Sequence, residues 1–201
     1  MKRLAHTSAH TVRDLEAPLP LIGVQFSYQI RLGGIKMGRS RIWKNKPGKK
    51  LYVPPASVTE AQTFILESLN FDDEENKRSD GKILYEALKL QGEEPKYYYF
   101  RTETELIHLA QTFRASGYRY LHLSCHGNDD SVAFTIGNAT FARFAEIFKT
   151  HLHNRRIFVS GCSFGKKSFA DAVFEKNGGM YSLTAPVKDV FFDQAATFWS
   201  A

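Results

Sequence analysis

Two short segments carry side chains that can do chemistry together. One is the end of YRYLHLSCHGNDD, where Cys125, His126 and Gly127 follow an apolar run; the other is RRIFVSGCSFG, where Cys162 follows Gly161. A thiolate is a strong nucleophile near neutral pH, and an imidazole is the side chain best suited to take and return a proton there. A Cys and a His within reach of each other are the minimum for acyl transfer: His126 takes the thiol proton and later protonates a leaving amine. The flanking glycines let a peptide backbone approach. The N–H groups of Gly127 and Cys162 are the candidate donors to the oxyanion that develops on an attacked carbonyl.

Parity along a strand separates the neighbours. Successive side chains point to opposite faces, so Cys125 and His126 cannot easily form the pair, and Cys162 is the expected nucleophile while Cys125 reads as a small core residue. His122 shares its parity with Ser124 and His126; it is read as a buried structural histidine, with support of His126 as the other possibility. A zinc site built from His122, Cys125, His126 and Cys162 lacks the paired-ligand spacing of structural zinc sites and is split by the same parity, so no metal or other cofactor is expected.

These residues need elements to hold them at one place. From residue 79 helical and strand patterns alternate: helix in SDGKILYEALKLQG, strand in KYYYFRT, helix in ETELIHLAQTFRASG, strand in YRYLHLSC. A hairpin in SVAFTIGNA follows, then helix in TFARFAEIFKTHLH, strand in RRIFVSGC, helix in KKSFADAVFEKNG, strand in GMYSLTAP and helix in DQAATFWSA. Such alternation predicts crossover units and an α/β fold with a mainly parallel sheet covered on both faces. In these sheets chemistry gathers at the carboxyl ends of the strands, where His126 and Cys162 both fall. A helix beginning soon after Cys162, with Lys166 and Lys167 near it, favours a thiolate. Upstream, SVTEAQTFILESLNF reads as a helix opened by a capping box of Ser57 and Glu60, DDEENKRSD as a loop, KKLYVPP as a short strand, and PLIGVQFSYQIRLGG as a strand turning at Gly33-Gly34.

YLHLSCHG followed by RRIFVSGCSFG resembles the paired His-Gly and Cys signatures of the caspase-like cysteine peptidases, the group that contains caspases, separases, metacaspases, legumains, gingipains and bacterial CHAT domains. GGMYSLTAPVKD is similar to the stretch after the catalytic strand in CHAT domains and separases. The resemblance covers residues 49–201 and implies a caspase-type three-layer α/β sandwich, with residues 1–48 as an N-terminal arm and β extension. It implies a cysteine endopeptidase with His126 and Cys162 as catalytic residues, acting on a specific protein substrate. By analogy with CHAT-type peptidases it further implies a bacterial antiviral defence effector switched on by an activating or regulatory protein partner. In such peptidases the segment after the next strand lines the pocket for the residue before the scissile bond. Asp189 is therefore a substrate-binding candidate that would favour Arg or Lys. The competing reading makes Asp189 a helix cap and leaves Leu183, Phe191 and Phe192 as an apolar pocket.

The 201 residues are 43% hydrophobic and 24% charged, a folded rather than a disordered composition. The net charge of +6 is concentrated in residues 36–50, where Lys36, Arg39, Arg41, Lys44, Lys46, Lys49 and Lys50 stand without an acid. A solvated loop is the expected reading. The alternative is a catalytically idle binding module that uses this segment for nucleic acid or an acidic protein. No apolar run approaches the ~20 residues of a membrane span, and the polar start lacks the apolar core of a signal peptide, so a cytoplasmic protein with no membrane partner and free thiols is expected.

Overall fold

The computed structural model describes residues 26–30 and 59–200. In chain order its elements are β1 (Phe26–Ile30), β2 (Glu60–Ser68), α1 (Phe71–Glu75), α2 (Asp80–Leu90), β3 (Lys96–Tyr99), α3 (Glu103–Ser116) and β4 (Tyr118–Cys125). They continue with β5 (Ser131–Ala133), β6 (Asn138–Thr140), α4 (Phe141–Ile147), β7 (Arg156–Val159), α5 (Lys167–Lys176), β8 (Ser182–Pro186) and α6 (Phe192–Ser200). One six-stranded sheet runs in the order β1-β8-β7-β4-β2-β3, and β5 and β6 form a separate hairpin. The five strands from β8 to β3 are parallel, and β1 lies antiparallel along β8. The protein is an α/β fold with a mainly parallel central sheet flanked by helices.

The two faces of the sheet differ in chemistry. Phe64 and Leu66 of β2, Leu121 and Leu123 of β4, Ile157 and Val159 of β7, and Leu183 and Ala185 of β8 share one parity, and all are buried in a single core with residues of α3, α4 and α5. That core is rich in phenylalanine. Phe141, Phe144, Phe148, Phe164 and Phe169 meet ring to ring at centroid distances between 4.7 and 5.7 Å. Each fully buried ring is worth about 1.5–3 kcal/mol over an exposed one.

The opposite face presents Glu67, His122 and Ser124, all buried, toward α2 and α6. Here polar groups must satisfy one another, because a buried polar atom without a partner is costly. Glu67 accepts from the Gly81 N–H at 2.8 Å and from the Tyr97 hydroxyl at 2.6 Å. Ser124 Oγ bridges two carboxyls, 2.5 Å from Asp80 Oδ1 and 3.3 Å from Glu67 Oε1. Burial pushes the Asp80 carboxyl up, against the pull of the Ser124 and Ser160 hydroxyls. Burial, opposed by the Tyr97 bond and reinforced by nearby Asp80, pushes Glu67 from 4.5 to about 7.

Three local expectations are corrected. The helix read over residues 57–71 is not there among the described residues: Glu60–Ser68 is the strand β2, between β3 and β4. Phe64, Ile65 and Leu66 are all fully buried because both faces of a central parallel strand are covered, and such a continuous apolar run carries no period of two to tell it from a buried helix. The stretch read as a loop contains α1, opened by Asn70, whose side chain accepts the Asp73 N–H at 2.8 Å. Strand β7 ends at Val159, short of Cys162. The first strand is present as β1, whereas the Gly33-Gly34 turn, residues 49–55 and the basic segment 36–50 lie outside the described residues. Helices α2 and α3 close at Gly92 and Gly117 with φ of 85° and 73°, the left-handed region where glycine is favoured. Among the described residues no helix is long and apolar enough to cross a membrane.

The raised Glu67 value has a definite sign. The folded chain holds a proton that the unfolded chain releases between pH 4.5 and about 7, so Glu67's contribution to stability is greatest below this window, falls through it and levels off above, while the depressed His122 acts in the opposite sense below 6.5. The loss expected is about 3 kcal/mol. Glu67→Gln keeps the shape without the charge and should remove most of that slope. Urea unfolding at about pH 5 and about pH 8 measures it; an unchanged slope in the variant would place the titration elsewhere.

Candidate active site

Four parallel strands deliver their carboxyl ends to one edge of the sheet, and each is followed by residues of the site. After β2 comes α1 with Asn70 and Asp73; after β4, His126 and Gly127; after β7, Ser160 to Ser163; after β8, residues 187–192. Cys162 and His126 line one cavity of about 40 Å³, together with Cys125, Ser160, Val190, Phe191, Phe192 and Ala195. The expected dyad is therefore brought to a common place.

Its closeness is set by one ring. Phe164 is fully buried, and a Cβ built on Gly127 would stand 2.2 Å from it, while one on Gly161 would stand 2.3 Å from it and 2.6 Å from the Cys125 carbonyl oxygen. Only glycine fits at either position. The chain then reverses through Ser163, which sits at φ 64°, a left-handed conformation that costs a non-glycine residue energy and is typical of turns that present a reacting group. The Ser163 hydroxyl donates to Asp189 Oδ1 at 3.5 Å.

His126 is oriented by a residue that the sequence reading missed. Its Nε2 lies 2.5 Å from Oδ2 of Asp73, a buried carboxylate whose Oδ1 accepts from Arg78 at 3.1 Å. Asn70 Nδ2 stands 3.3 Å from the same nitrogen. Because the carboxylate contact is much the shorter and is charge-assisted, Nε2 carries the proton and donates to Asp73, which leaves Nδ1 as the basic nitrogen. The available signal was Asn70 three residues before Asp73, the spacing of a helix start, but Asn70 closes a stretch read as a helix and Asp73 falls in the one read as a loop.

The remaining candidates sort clearly. Gly127 pairs with Val132 between the bonds Ala133 N–H to His126 O and Asn128 N–H to Ser131 O. Those bonds alternate as in an antiparallel ladder and put Gly127 at a non-hydrogen-bonded position, with its N–H turned away from the hairpin. Cys125 is buried and its thiol is pushed up by burial. His122 is buried, bonded through Nε2 to Ser160 Oγ at 2.8 Å and capped edge-on by Trp199; burial depresses it to about 3, so it stays neutral. That is the structural role. Lys166 and Lys167 pair with Asp129 and Asp171. Asp189 is exposed, bonds Ser163 and lies before α6, and Leu183 is buried in the core. Of the two alternatives for the pocket, Phe191 and Phe192 reach the cavity wall. Among the described residues no three His, Cys, Asp or Glu side chains gather as metal ligands would.

No protein-family model matches the chain, and no curated protein matches it.

The close approach around Phe164 gives a direct test. Gly127→Ala should cost about 1–3 kcal/mol of stability through overpacking, and Phe164→Leu in the same chain should recover part of it. Chemical denaturation of the single and double variants measures the coupling; independent, additive effects would mean that the ring is not what holds the two loops at their spacing.

Proposed function

We propose that the chain is a cysteine endopeptidase acting on a protein substrate, with Cys162 as nucleophile, His126 as general acid and base, and Asp73 as the residue that orients His126. The observation that carries this reading is the cavity shared by Cys162 and an imidazole whose Nε2 is held by a buried carboxylate. A proton acceptor fixed in one tautomer beside a thiol is the arrangement that acyl transfer needs. The likeness of the His-Gly and Gly-Cys segments to caspase-like peptidases supports the same conclusion.

In this mechanism the Cys162 proton passes to His126 Nδ1, and sulfur attacks the scissile carbonyl carbon. Charge that develops on the carbonyl oxygen is met by the Gly127 and Cys162 N–H groups. The C–N bond then breaks as His126 returns its proton to the amine, leaving a thioester on Cys162. Water, deprotonated by His126, attacks the thioester; the acid leaves and the thiol is restored. Asp73 accepts the Nε2 hydrogen bond throughout and steadies the imidazolium that forms twice in each cycle. Val190, Phe191 and Phe192 give the site an apolar wall, which favours an apolar residue at the cleavage position over the basic one that Asp189 would select.

Hydrolysis of a peptide library tests the assignment. Cys162→Ala and His126→Ala should abolish it and Cys125→Ala should leave most of it, while Asp73→Asn, which presents the wrong partner to Nε2, should lower kcat by about 10²- to 10⁴-fold with little change in KM. Full activity in a folded Cys162→Ala protein would end this reading.

A further inference from the structure

One segment covers both reacting groups. The Cys162 thiol donates to the Val190 carbonyl at 3.7 Å, and the Phe192 ring meets the His126 imidazole edge-on at a centroid distance of 5.7 Å. Val190, Phe191, Phe192 and Ala195 supply half of the cavity's lining residues. What remains is about 40 Å³. That admits a few water molecules, whereas sites that hold a ligand run to about 300 Å³ and more.

The segment is fastened at its two ends and loose between them. Upstream, the Gly165 N–H donates to the Pro186 carbonyl at 2.6 Å and the Ser163 hydroxyl to Asp189 at 3.5 Å. Downstream, α6 is seated by Trp199 against His122 at 5.2 Å and Phe158 at 5.5 Å. Between these anchors Phe191 is 73% exposed. Lifting residues 187–192 breaks the thiol contact, the ring contact and the Ser163–Asp189 hydrogen bond, and pulls on two first-turn bonds of α6, Ala195 N–H to the Phe191 carbonyl at 2.9 Å and Phe191 N–H to Gln194 Oε1 at 3.4 Å; it leaves the phenylalanine core untouched. Segments of this kind open at low free energy.

We propose that residues 187–192 are a latch that closes over Cys162 and His126 in the resting chain, and that a peptide reaches the thiol only when this latch is displaced. The proposal rests on the reading of Cys162 and His126 as the reacting pair. It predicts a protein that is latent until its substrate or another molecule holds the segment open, so its activity is governed by the open fraction.

Alkylation of Cys162 by iodoacetamide, read by mass spectrometry, measures that fraction without requiring any cleavage. Asp189→Ala removes the tether to Ser163 from an exposed position, and Phe192→Ala removes the ring over His126. Each should raise the Cys162 alkylation rate about tenfold, compared at the high-pH limit so that access rather than ionisation is read. Cys125 should stay unmodified, which reports that the core is intact. Wild-type rates in both folded variants, or a wild-type Cys162 as reactive as free glutathione, overturn the latch. Faster alkylation in proteins that hydrolyse no peptide upholds the closing of this segment and counts against the peptidase reading instead.

Discussion

The ring of Phe164 limits how near the loops that carry His126 and Cys162 can come. Its edge lies against both Gly127 and Gly161, so closely that neither position has room for a methyl group. The same ring packs on Phe141 and Phe169 in the main core. The spacing of His126 and Cys162 is thus inherited from close-packed apolar atoms, which are the least compliant part of a protein.

The sheet divides its labour by face. One side is largely apolar and supplies the cohesion; the other buries Glu67, Asp80, Ser124 and His122 and leads through Ser160 to the cavity. Two carboxyls this close cannot both ionise cheaply without a cation, and none of their hydrogen-bonding partners is one. The polar face therefore stays nearly neutral, with His122 uncharged and Glu67 protonated below neutrality. Charge is kept for the surface end, where Asp73 meets His126 and Arg78.

Much of this was legible in the sequence. Alternation of strand and helix from residue 79 onward foretold the parallel sheet, and the position of His126 and Cys162 just beyond strand ends foretold where they would meet. Residues 60–68 were not legible, because a strand buried on both faces shows an unbroken apolar run and the intervening Ala61, Phe64, Ile65 and Leu69 also fit a helix. That one misreading hid Asp73 as well: without β2 ending beside β4, nothing placed the charged stretch after it near His126. The role of Phe164 was illegible for a different reason. It depends on contacts among three segments distant in sequence, and local pattern is blind to such contacts.

The strand β1 has a consequence for how the chain assembles. Ile30 pairs with Ser182, 152 positions later, whereas the neighbouring strands β2 and β4 are joined by a far shorter stretch. Closing the longer loop adds about 1 kcal/mol of entropic cost before any contact rewards it, which favours docking of β1 after the central strands. During synthesis the β1 segment emerges early and waits for β8, the strand that leads directly into residues 187–192. Until β1 arrives, β8 has an open edge that accepts any extended segment, including β1 of another copy. Yield on refolding should therefore fall with protein concentration.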